Sequence, residues 1–326
     1  MGYCAGRPNL CGRGFLSVKD TPAPIPVTVI GGYLGAGKTT LVNNLLRQAD
    51  GLRLAVLVNE FGELPIDADL IESRDENVIN IAGGCICCSY GSDLIEALRT
   101  LEKLDPAPDH LLIEASGVAL PDVIAQSTTL ITRYTVDGIV VLADADLVRR
   151  HGTDKYLAGT IIHQLGAADI VLLNKVDLSC PGAIQEIRHW LGDVCKDTHI
   201  VETVKSKISL PALLGTRVEP LLLNSDHNLP HADHHSVVLS IGRPIDPHIL
   251  AERLSDTTFG LVRTKGFVTG LDGRTYMVQT VGQRCAAAAM SQPVEAIGYI
   301  VCIRCGDVID RDALLAMVGE VQAAVD

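Results

Sequence analysis

The segment that most restricts the fold of this chain is a glycine-rich loop that runs from Gly32 to Thr39. It follows a β-branched run and leads into an amphipathic stretch, which is the strand–loop–helix order of a phosphate-binding P-loop. In such a loop, backbone N–H groups surround a phosphate at a helix N-terminus. Lys38 is expected to reach the β- and γ-phosphates, and the Thr39 hydroxyl to ligate Mg²⁺. The residues predicted to bind the nucleotide phosphates are Gly32, Gly35, Ala36, Gly37, Lys38, Thr39 and Thr40.

Short apolar runs alternate with longer amphipathic stretches from Val27 to about Leu214, which is the pattern of βαβ units and a parallel sheet. The runs are nearly continuous, as in strands that are buried on both faces. The predicted strands are Val27–Ile30, Leu54–Val58, Val78–Ile81, Leu111–Ile113, Gly138–Leu142 and Ile170–Leu173. The predicted helices are Thr40–Gln48, Ser92–Leu104, Pro121–Thr128, Tyr156–Leu165 and Pro181–Leu191. The predicted fold class is therefore α/β, a P-loop NTPase with a mostly parallel sheet flanked by helices.

A second, smaller α+β domain is predicted after a polar, histidine-rich linker around Asn224–His235. Its predicted elements are strands Ser236–Ile241, Leu261–Thr269, Thr275–Val281 and Glu295–Ile303, and helices Pro247–Leu254 and Asp310–Val325. Leu271–Gly273 is a hairpin signal between two of these strands. The predicted organisation is a disordered leader at 1–25, a P-loop domain at 26–222, a linker at 223–235 and the α+β domain at 236–326.

The base that the nucleotide carries is indicated by Asn174-Lys175-Val176-Asp177, which directly follows the predicted strand Ile170–Leu173. A carboxylate at this place can accept from both N1–H and the exocyclic amine of guanine, a donor pair that adenine lacks. Four residues alone are a weak match, but their place after a late strand of a P-loop domain makes them a strong one. Asn174, Lys175 and Asp177 are therefore predicted to bind the base of GTP.

Two acidic residues are candidates for the catalytic and magnesium chemistry beside Lys38. Glu114 ends the predicted strand Leu111–Ile113, and Asp67 lies in the loop after the predicted strand Leu54–Val58. Glu114 can reach the metal through a water or position the attacking water, and Asp67 can approach Mg²⁺ or a second metal. The alternative for Asp67 is a solvated loop carboxylate.

Three of the ten cysteines, Cys85, Cys87 and Cys88, are crowded into four positions after the predicted strand Val78–Ile81. In an extended segment Cys85 and Cys87 point the same way, and Cys88 can turn in beside them. Three thiolates suit a thiophilic ion such as Zn²⁺ or Cu(I). Because this segment follows a strand of the parallel sheet, it is expected at the same edge as the phosphate loop. Buried, inert cysteines are the alternative.

Other potential ligands carry weaker predictions. The histidines of the linker region, His227, His231, His234 and His235, fit either a loose metal tether or a solvated linker. Cys302 and Cys305 look like half of a zinc knuckle, but positions three apart on a strand face opposite ways. They are therefore predicted to be structural.

The composition excludes several classes of protein. A formal net charge of −12 argues against general nucleic-acid binding, which needs a basic surface to release counterions. No apolar run is long enough to cross a bilayer without interruption, so no membrane partner is predicted. Without an export signal, clustered thiols favour the cytoplasm.

Five motifs together resemble the CobW-like GTPases. They are Gly31–Thr40, Asn59–Gly62, Gly84–Cys88, Glu114–Gly117 and Asn174–Asp177, and Arg263–Phe267 resembles the CobW C-terminal domain. The resemblance implies a slow GTPase of the SIMIBI class that acts as a metal chaperone or insertase, with zinc the commonest ion and cobalt or iron for some members. It also implies that the metal binds at Cys85, Cys87 and Cys88.

The resulting hypothesis is a cytoplasmic GTPase in which GTP and Mg²⁺ order the loops around Asp67 and Glu114 and so change the cysteine site. Hydrolysis would pass Zn²⁺, or Co²⁺ or another transition metal, to a client metalloprotein or a metal-cofactor pathway enzyme. A nucleotide-dependent homodimer is an option. The alternatives are a metal-storage protein with a vestigial GTPase, cobalt handling for cobalamin biosynthesis, and a small-molecule P-loop kinase.

Overall fold

Two β-sheets form the frame of the molecule in a computed structural model. The structure describes residues 24–49, 51–59, 78–83, 92–196, 198–214, 234–290 and 297–324. Within this part of the chain, one sheet has seven strands and the other has five.

The seven strands of the first sheet all pair in parallel, in the order β3-β2-β4-β1-β5-β6-β7. They are β1 Ile25–Gly32, β2 Leu54–Asn59, β3 Val78–Gly83, β4 His110–Glu114, β5 Tyr134–Asp144, β6 Ile170–Asn174 and β7 His199–Thr203. Every residue of β4 and β6 is buried, which explains their continuous apolar sequences. Strand β7 was not predicted; it is an edge strand whose residues include His199, Glu202 and Thr203.

Seven helices accompany this sheet in the described residues. They are α1 Lys38–Leu46, α2 Ser92–Leu101, α3 Pro121–Thr128, α4 Val148–Thr153, α5 Ala158–Gly166, α6 Pro181–Val194 and α7 Leu210–Leu214. Helices α2, α3, α5 and α6 share a core with one face of the sheet, and α1 and α7 share a core with the other. Short α4 and α7 were not predicted, because neither spans enough turns to show a helical period. No helix within the described ranges has the length and apolar character needed to span a bilayer.

The second sheet is antiparallel, in the order β11-β10-β9-β12-β8. Its strands are β8 His234–Ser240, β9 Arg263–Thr269, β10 Thr275–Val281, β11 Arg284–Ala289 and β12 Tyr299–Cys305, and its helices are α8 Pro247–Leu254 and α9 Arg311–Ala323. The two helices share a core with this sheet. The predicted fold class, a mostly parallel sheet flanked by helices plus a small α+β domain, is confirmed.

The sequence predictions for this domain differ from the structure in several places. Strand β8 begins at His234, so the last two residues of the predicted linker are strand residues. Strand β11 was not predicted, because its alanine-rich and largely exposed sequence lacks the apolar alternation of a half-buried strand. Strand β12 begins at Tyr299, and the predicted start at Glu295 lies outside the described residues.

The two sheets share one apolar core. Buried residues of the parallel sheet, including Ile30 and Val140, belong to the same cluster as Val281 and Val301 of the antiparallel sheet. The approach is so close that a Cβ atom on Gly282, which has a φ of +54°, would overlap the carbonyl oxygen of Asp169. The second domain is therefore packed directly on the sheet, beside α1 and α7.

A buried ion pair crosses this interface. Arg263 of β9 is 1% exposed and Asp137 of β5 is 5% exposed. Arg263 Nη2 donates to both carboxylate oxygens of Asp137 at 2.7 Å, and Nη1 donates to the carbonyl oxygen of Leu213 at 2.8 Å. The guanidinium thus joins α7 and β5 to the second domain.

His110, at the start of β4, lies near this ion pair. Its Nε2 is 2.8 Å from the Thr28 hydroxyl. Burial lowers the pKa of His110 from 6.5 to about 4, and the positive charges of Arg263 and Lys265 add to that effect while Asp137 opposes it. His110 is therefore neutral in the folded protein at neutral pH.

Replacing Asp137 with alanine is expected to destabilise the protein by about 3–5 kcal/mol, because Arg263 would remain buried without its counter-charge. The measurement is the free energy of unfolding in urea. The control is Glu186→Ala, which removes an exposed ion pair with Arg149 and should cost about 1 kcal/mol or less. Equal effects of the two changes would contradict the role given to the buried pair.

Acidification is expected to destabilise the fold through His110. The unfolded chain takes up a proton near pH 6.5, whereas the folded chain resists it down to about pH 4, so this contribution to stability is complete above pH 6.5. It is lost as the pH falls through that window, by about 3 kcal/mol in all. Urea unfolding across this window should show a shallower loss in His110→Gln than in the parent. Parallel curves for the two proteins would contradict the assignment.

Candidate functional site

Several candidate residues meet at one edge of the parallel sheet. Strand β1 ends at Gly32, β4 at Glu114, β5 at Asp144 and β6 at Asn174, all in the same direction. The carboxyl edge of an open parallel sheet is where such folds bind ligands. The structure therefore brings the phosphate loop, the predicted carboxylate Glu114 and the predicted base-binding segment together.

The glycine-rich loop adopts a conformation that depends on its glycines. Gly32, Gly35 and Gly37 have φ angles of +128°, +74° and +109°, which other residues rarely adopt. A Cβ atom on Gly37 would also lie 2.6 Å from both Asn174 Nδ2 and Ser206 Oγ. Gly37 is the N-cap of α1. The loop thus presents the N–H groups of a helix N-terminus, which favour a bound phosphate.

Lys38 is the first residue of α1, and its side chain lies back along the loop. The residue is buried, and Nζ donates to the carbonyl oxygens of Gly32 at 2.9 Å and Tyr33 at 3.4 Å. The ammonium group therefore lies against the phosphate loop, and its binding of the β- and γ-phosphates stays a prediction.

Thr39 and Glu114 are in direct contact, although 75 positions separate them in the sequence. The Thr39 hydroxyl donates to Glu114 Oε1 at 2.9 Å, and Glu114 is buried at the end of β4. A hydroxyl and a carboxylate are hard oxygen ligands of the kind that Mg²⁺ prefers. The donor set thus fits the predicted magnesium ion.

Gln164 holds the segment that follows Glu114. This buried residue of α5 donates from Nε2 to the carbonyl oxygens of Gly117 at 3.1 Å and Ala119 at 2.8 Å. A Cβ atom on Gly117 would lie 2.5 Å from Leu34 Cδ2, so this segment packs on the phosphate loop. The sequence analysis did not identify Gln164, because nothing in its local sequence marks a contact with a loop 45 residues away.

Asn174 is the centre of a hydrogen-bond network. Its Nδ2 donates to the carbonyl oxygen of Ala36 at 2.8 Å and to Ser206 Oγ at 2.9 Å. Its Oδ1 accepts from the Ser206 N–H at 2.8 Å and from the Thr203 hydroxyl at 3.2 Å. The side chain therefore joins the phosphate loop to the segment after β7.

Residues 203–206, which are the end of β7 and the turn after it, are a part of the site that was not predicted from the sequence. Lys205 and Ser206 have φ angles of +52° and +53°, and the Ser206 hydroxyl also donates to the carbonyl oxygen of Gly37 at 3.1 Å. Asn44 Nδ2 of α1 donates to the carbonyl oxygens of Lys205 and Ser206 at 2.9 and 3.1 Å. The missed strand β7 is the signal that could have located it, because a segment after a parallel strand lies at this edge.

Lys175 and Asp177 continue from Asn174 in a tight turn. Lys175 has a φ of +64°, and its Nζ lies 2.7 Å from Oδ2 of Asp144, a buried residue at the end of β5. Asp177 lies in the 3₁₀ helix Val176–Leu178 and is exposed. The exposed position leaves the carboxylate accessible from solvent, and its contact with a guanine base stays a prediction.

The other predicted site residues lie outside the described part of the chain. Asp67 is among residues 60–77, and Cys85, Cys87 and Cys88 are among residues 84–91. Strand β3 ends at Gly83, two residues before Cys85, at the same edge as Gly32. Among the residues that the structure describes, no cluster of three or more His, Cys, Asp or Glu side chains could hold a metal ion.

Three of the described cysteines are poor candidates for metal ligands. Burial raises the pKa of Cys195 to about 11 and the pKa of Cys302 and Cys305 to about 12, so these thiols stay protonated at neutral pH. A metal binds the thiolate. Cys302 and Cys305 pack in different apolar clusters, consistent with opposite faces of β12, and Cys285 is exposed.

Comparison with known proteins relates both domains to families. Residues 26–202 match the model of the CobW/HypB/UreG nucleotide-binding domain, and residues 234–321 match the model of the cobalamin synthesis protein CobW C-terminal domain. The zinc chaperone CobW of Sinorhizobium sp is 32% identical over 313 residues, which cover 82% of this chain and 88% of that protein. The zinc chaperone YjiA of Escherichia coli strain K12 is 32% identical over 292 residues, covering 83% and 90% respectively.

The crystal structure of the Zn(II)-bound YjiA GTPase from E. coli aligns with 91% of this chain and 99% of its own, at 22% identity and a TM-score of 0.45. The family match covers more than half of the chain, and it begins at the strand that leads into the phosphate loop. The resemblance inferred from the motifs is thereby confirmed: the chain belongs to the CobW/HypB/UreG family of nucleotide-binding proteins and carries a CobW C-terminal domain.

Proposed function

We propose that this protein is a GTP-hydrolysing metal chaperone that binds Zn²⁺ at Cys85, Cys87 and Cys88 and delivers it to a client metalloprotein or a metal-cofactor pathway enzyme. The observation that carries the proposal is the contact between Thr39 and Glu114, which links the phosphate loop to a buried carboxylate at the edge where β3 ends. The names of two relatives that match more than four-fifths of the chain support zinc as the cargo.

In the nucleotide site, each residue has a distinct task. Lys38 neutralises the β- and γ-phosphates, and the loop amides from Gly35 to Thr40 hold them. Mg²⁺, when bound, draws charge from the phosphate oxygens; Thr39 would hold it, and Glu114 would reach it through a water. Asp177, exposed beside the turn at Lys175, accepts from the guanine edge, and Asn174 keeps that turn in register with the loop.

Hydrolysis is the attack of a water molecule on the γ-phosphorus, with cleavage of its bond to the bridging oxygen of GDP. Glu114 orients that water, directly or through a second water, and Lys38 stabilises the charge that develops on the transferred group. Asp67 is the second proposed carboxylate of this centre. Since no arginine finger can be assigned among the residues that the structure describes, we expect slow turnover, about 10⁻⁴ to 10⁻² s⁻¹, as in unassisted GTPases.

The transferred metal ion binds to the cysteines of the segment after β3. Thiolates are preferred ligands of Zn²⁺, and three of them leave a fourth position open to a client ligand. Because β3 and β1 end at the same edge, Gly83, two residues before Cys85, lies at the edge that carries the phosphate loop. Nucleotide-dependent ordering of the segment at Asp67 would alter the cysteine site, as in other nucleotide switches. A cytoplasmic location suits free thiols.

A second copy of the chain is a proposed partner in the GTP state. Leu34 of the phosphate loop is 62% exposed and Val118, in the segment after Glu114, is 45% exposed. Apolar side chains beside the nucleotide edge favour burial against a partner. Contacts of this kind would depend on the nucleotide, because both residues flank its site.

Cys87→Ser is expected to weaken Zn²⁺ binding by roughly 100-fold or more, because one of three thiolate ligands is lost. The measurement is competition for Zn²⁺ with a chromophoric chelator, on protein that is bound to GDP.

The matched control is Cys285→Ser, since Cys285 is an exposed cysteine of β11, in the second domain. The control should bind Zn²⁺ as the parent does, and both variants should bind GDP normally. If Cys87→Ser keeps the affinity of the parent, the zinc site lies elsewhere.

A further inference from the structure

Asp144 holds Lys175 by an ion pair that no sequence motif indicates. Oδ2 of Asp144 lies 2.7 Å from Lys175 Nζ, and Oδ1 accepts from the N–H of Asp146 at 3.0 Å. The Asp144 side chain is 10% exposed and that of Lys175 is 33% exposed. Both carboxylate oxygens are thus engaged, and the pair is largely shielded from water.

The backbone of Lys175 needs such a restraint. Its φ of +64° lies in the left-handed region, which is unfavourable for a residue with a side chain. The preceding residue, Asn174, is fixed by its hydrogen bonds to the phosphate loop and to Ser206. Asp144 and Asn174 are also register partners on adjacent strands, and the N–H of Ala145 donates to the carbonyl oxygen of Asn174 at 2.9 Å. The turn from Asn174 to Asp177 is therefore held from the β5 side as well.

We propose that Asp144 is a positioning residue for guanine-nucleotide binding: it fixes Lys175 and, through Lys175, the turn that presents Asp177. With its ammonium group held, the methylene stem of Lys175 is a fixed apolar surface on which a purine ring can pack. The inference rests on the proposed GTP site and adds a residue to it that lies outside the phosphate loop and the Asn174–Asp177 motif.

The fixing of Lys175 depends on the charge of Asp144 rather than on its shape. An asparagine would keep the size and the acceptor for the Asp146 N–H, but it would lose the attraction for the lysine ammonium. Lys175 would then lose its fixed position and sample others in water, and nucleotide binding would have to restore the bound conformation at a cost in affinity. The loss is expected in binding, because the contacts of the Asp144 carboxylate are with Lys175 Nζ and the N–H of Asp146, both outside the phosphate loop.

The experiment measures GDP binding by calorimetry and steady-state GTP hydrolysis in the full chain. Asp144→Asn should bind GDP about tenfold more weakly, the size of one charge-assisted hydrogen bond. The KM for GTP should rise while kcat stays within about threefold of the parent. Lys175→Met should also bind GDP more weakly, and the double variant should bind no more weakly than Lys175→Met alone, because the two residues act through one contact.

The matched control is Asp146→Asn, which makes the same change of charge two residues away at an exposed side chain. It should bind GDP as the parent does. Binding of GDP by Asp144→Asn at parental affinity, or losses that simply add in the double variant, would overturn the positioning role. A fall in kcat with an unchanged KM would overturn it as well. Failure of the parent to bind GDP at all would instead refute the proposed GTP site.

Discussion

The arrangement of the phosphate loop at the carboxyl edge of the parallel sheet depends on the hydrogen bonds of the Asn174 side chain. Both of its functional groups are used: the amide nitrogen donates to Ala36 in the phosphate loop and to the Ser206 hydroxyl, and the oxygen accepts from Ser206 and Thr203. One buried residue thus fixes the distance between the loop, the end of β6 and the segment after β7. Buried amides that are fully satisfied in this way specify one arrangement, because any displacement leaves a polar atom unpaired.

Further hydrogen bonds connect helix α1, which follows the phosphate loop, to the second domain. Gln48, just after α1, donates to the carbonyl oxygen of Ile208 and accepts from the N–H of Leu210, at 3.0 Å each. Helix α7 follows, and the carbonyl oxygen of Leu213 accepts from Arg263, whose guanidinium is also paired with Asp137. The phosphate loop, α7 and the antiparallel sheet are therefore parts of one packed unit rather than separate bodies on a linker.

Much of this architecture can be predicted from sequence. Strands buried on both faces have continuous apolar runs, and the P-loop motif lies between a strand and a helix. Residues 170–173, for example, were predicted as a strand, and β6 extends them by one residue. The unpredicted parts are those that tertiary contacts create. Ser206 adopts a left-handed conformation that Asn174 stabilises from 32 residues away, and Asp144 meets Lys175 only because β5 and β6 are neighbours. Neither of these two contacts can be predicted from the local sequence.

The central claim is that the nucleotide controls the metal. The most direct measurement is the Kd for Zn²⁺ of the full chain, by chelator competition, with GDP and with a non-hydrolysable GTP analogue. The account predicts that the two Kd values differ by about fivefold or more, the lower range of coupling between sites that share a conformational switch. Equal Kd values in the two states, with both nucleotides bound, would contradict the account and indicate a zinc store whose GTPase does not act on its metal.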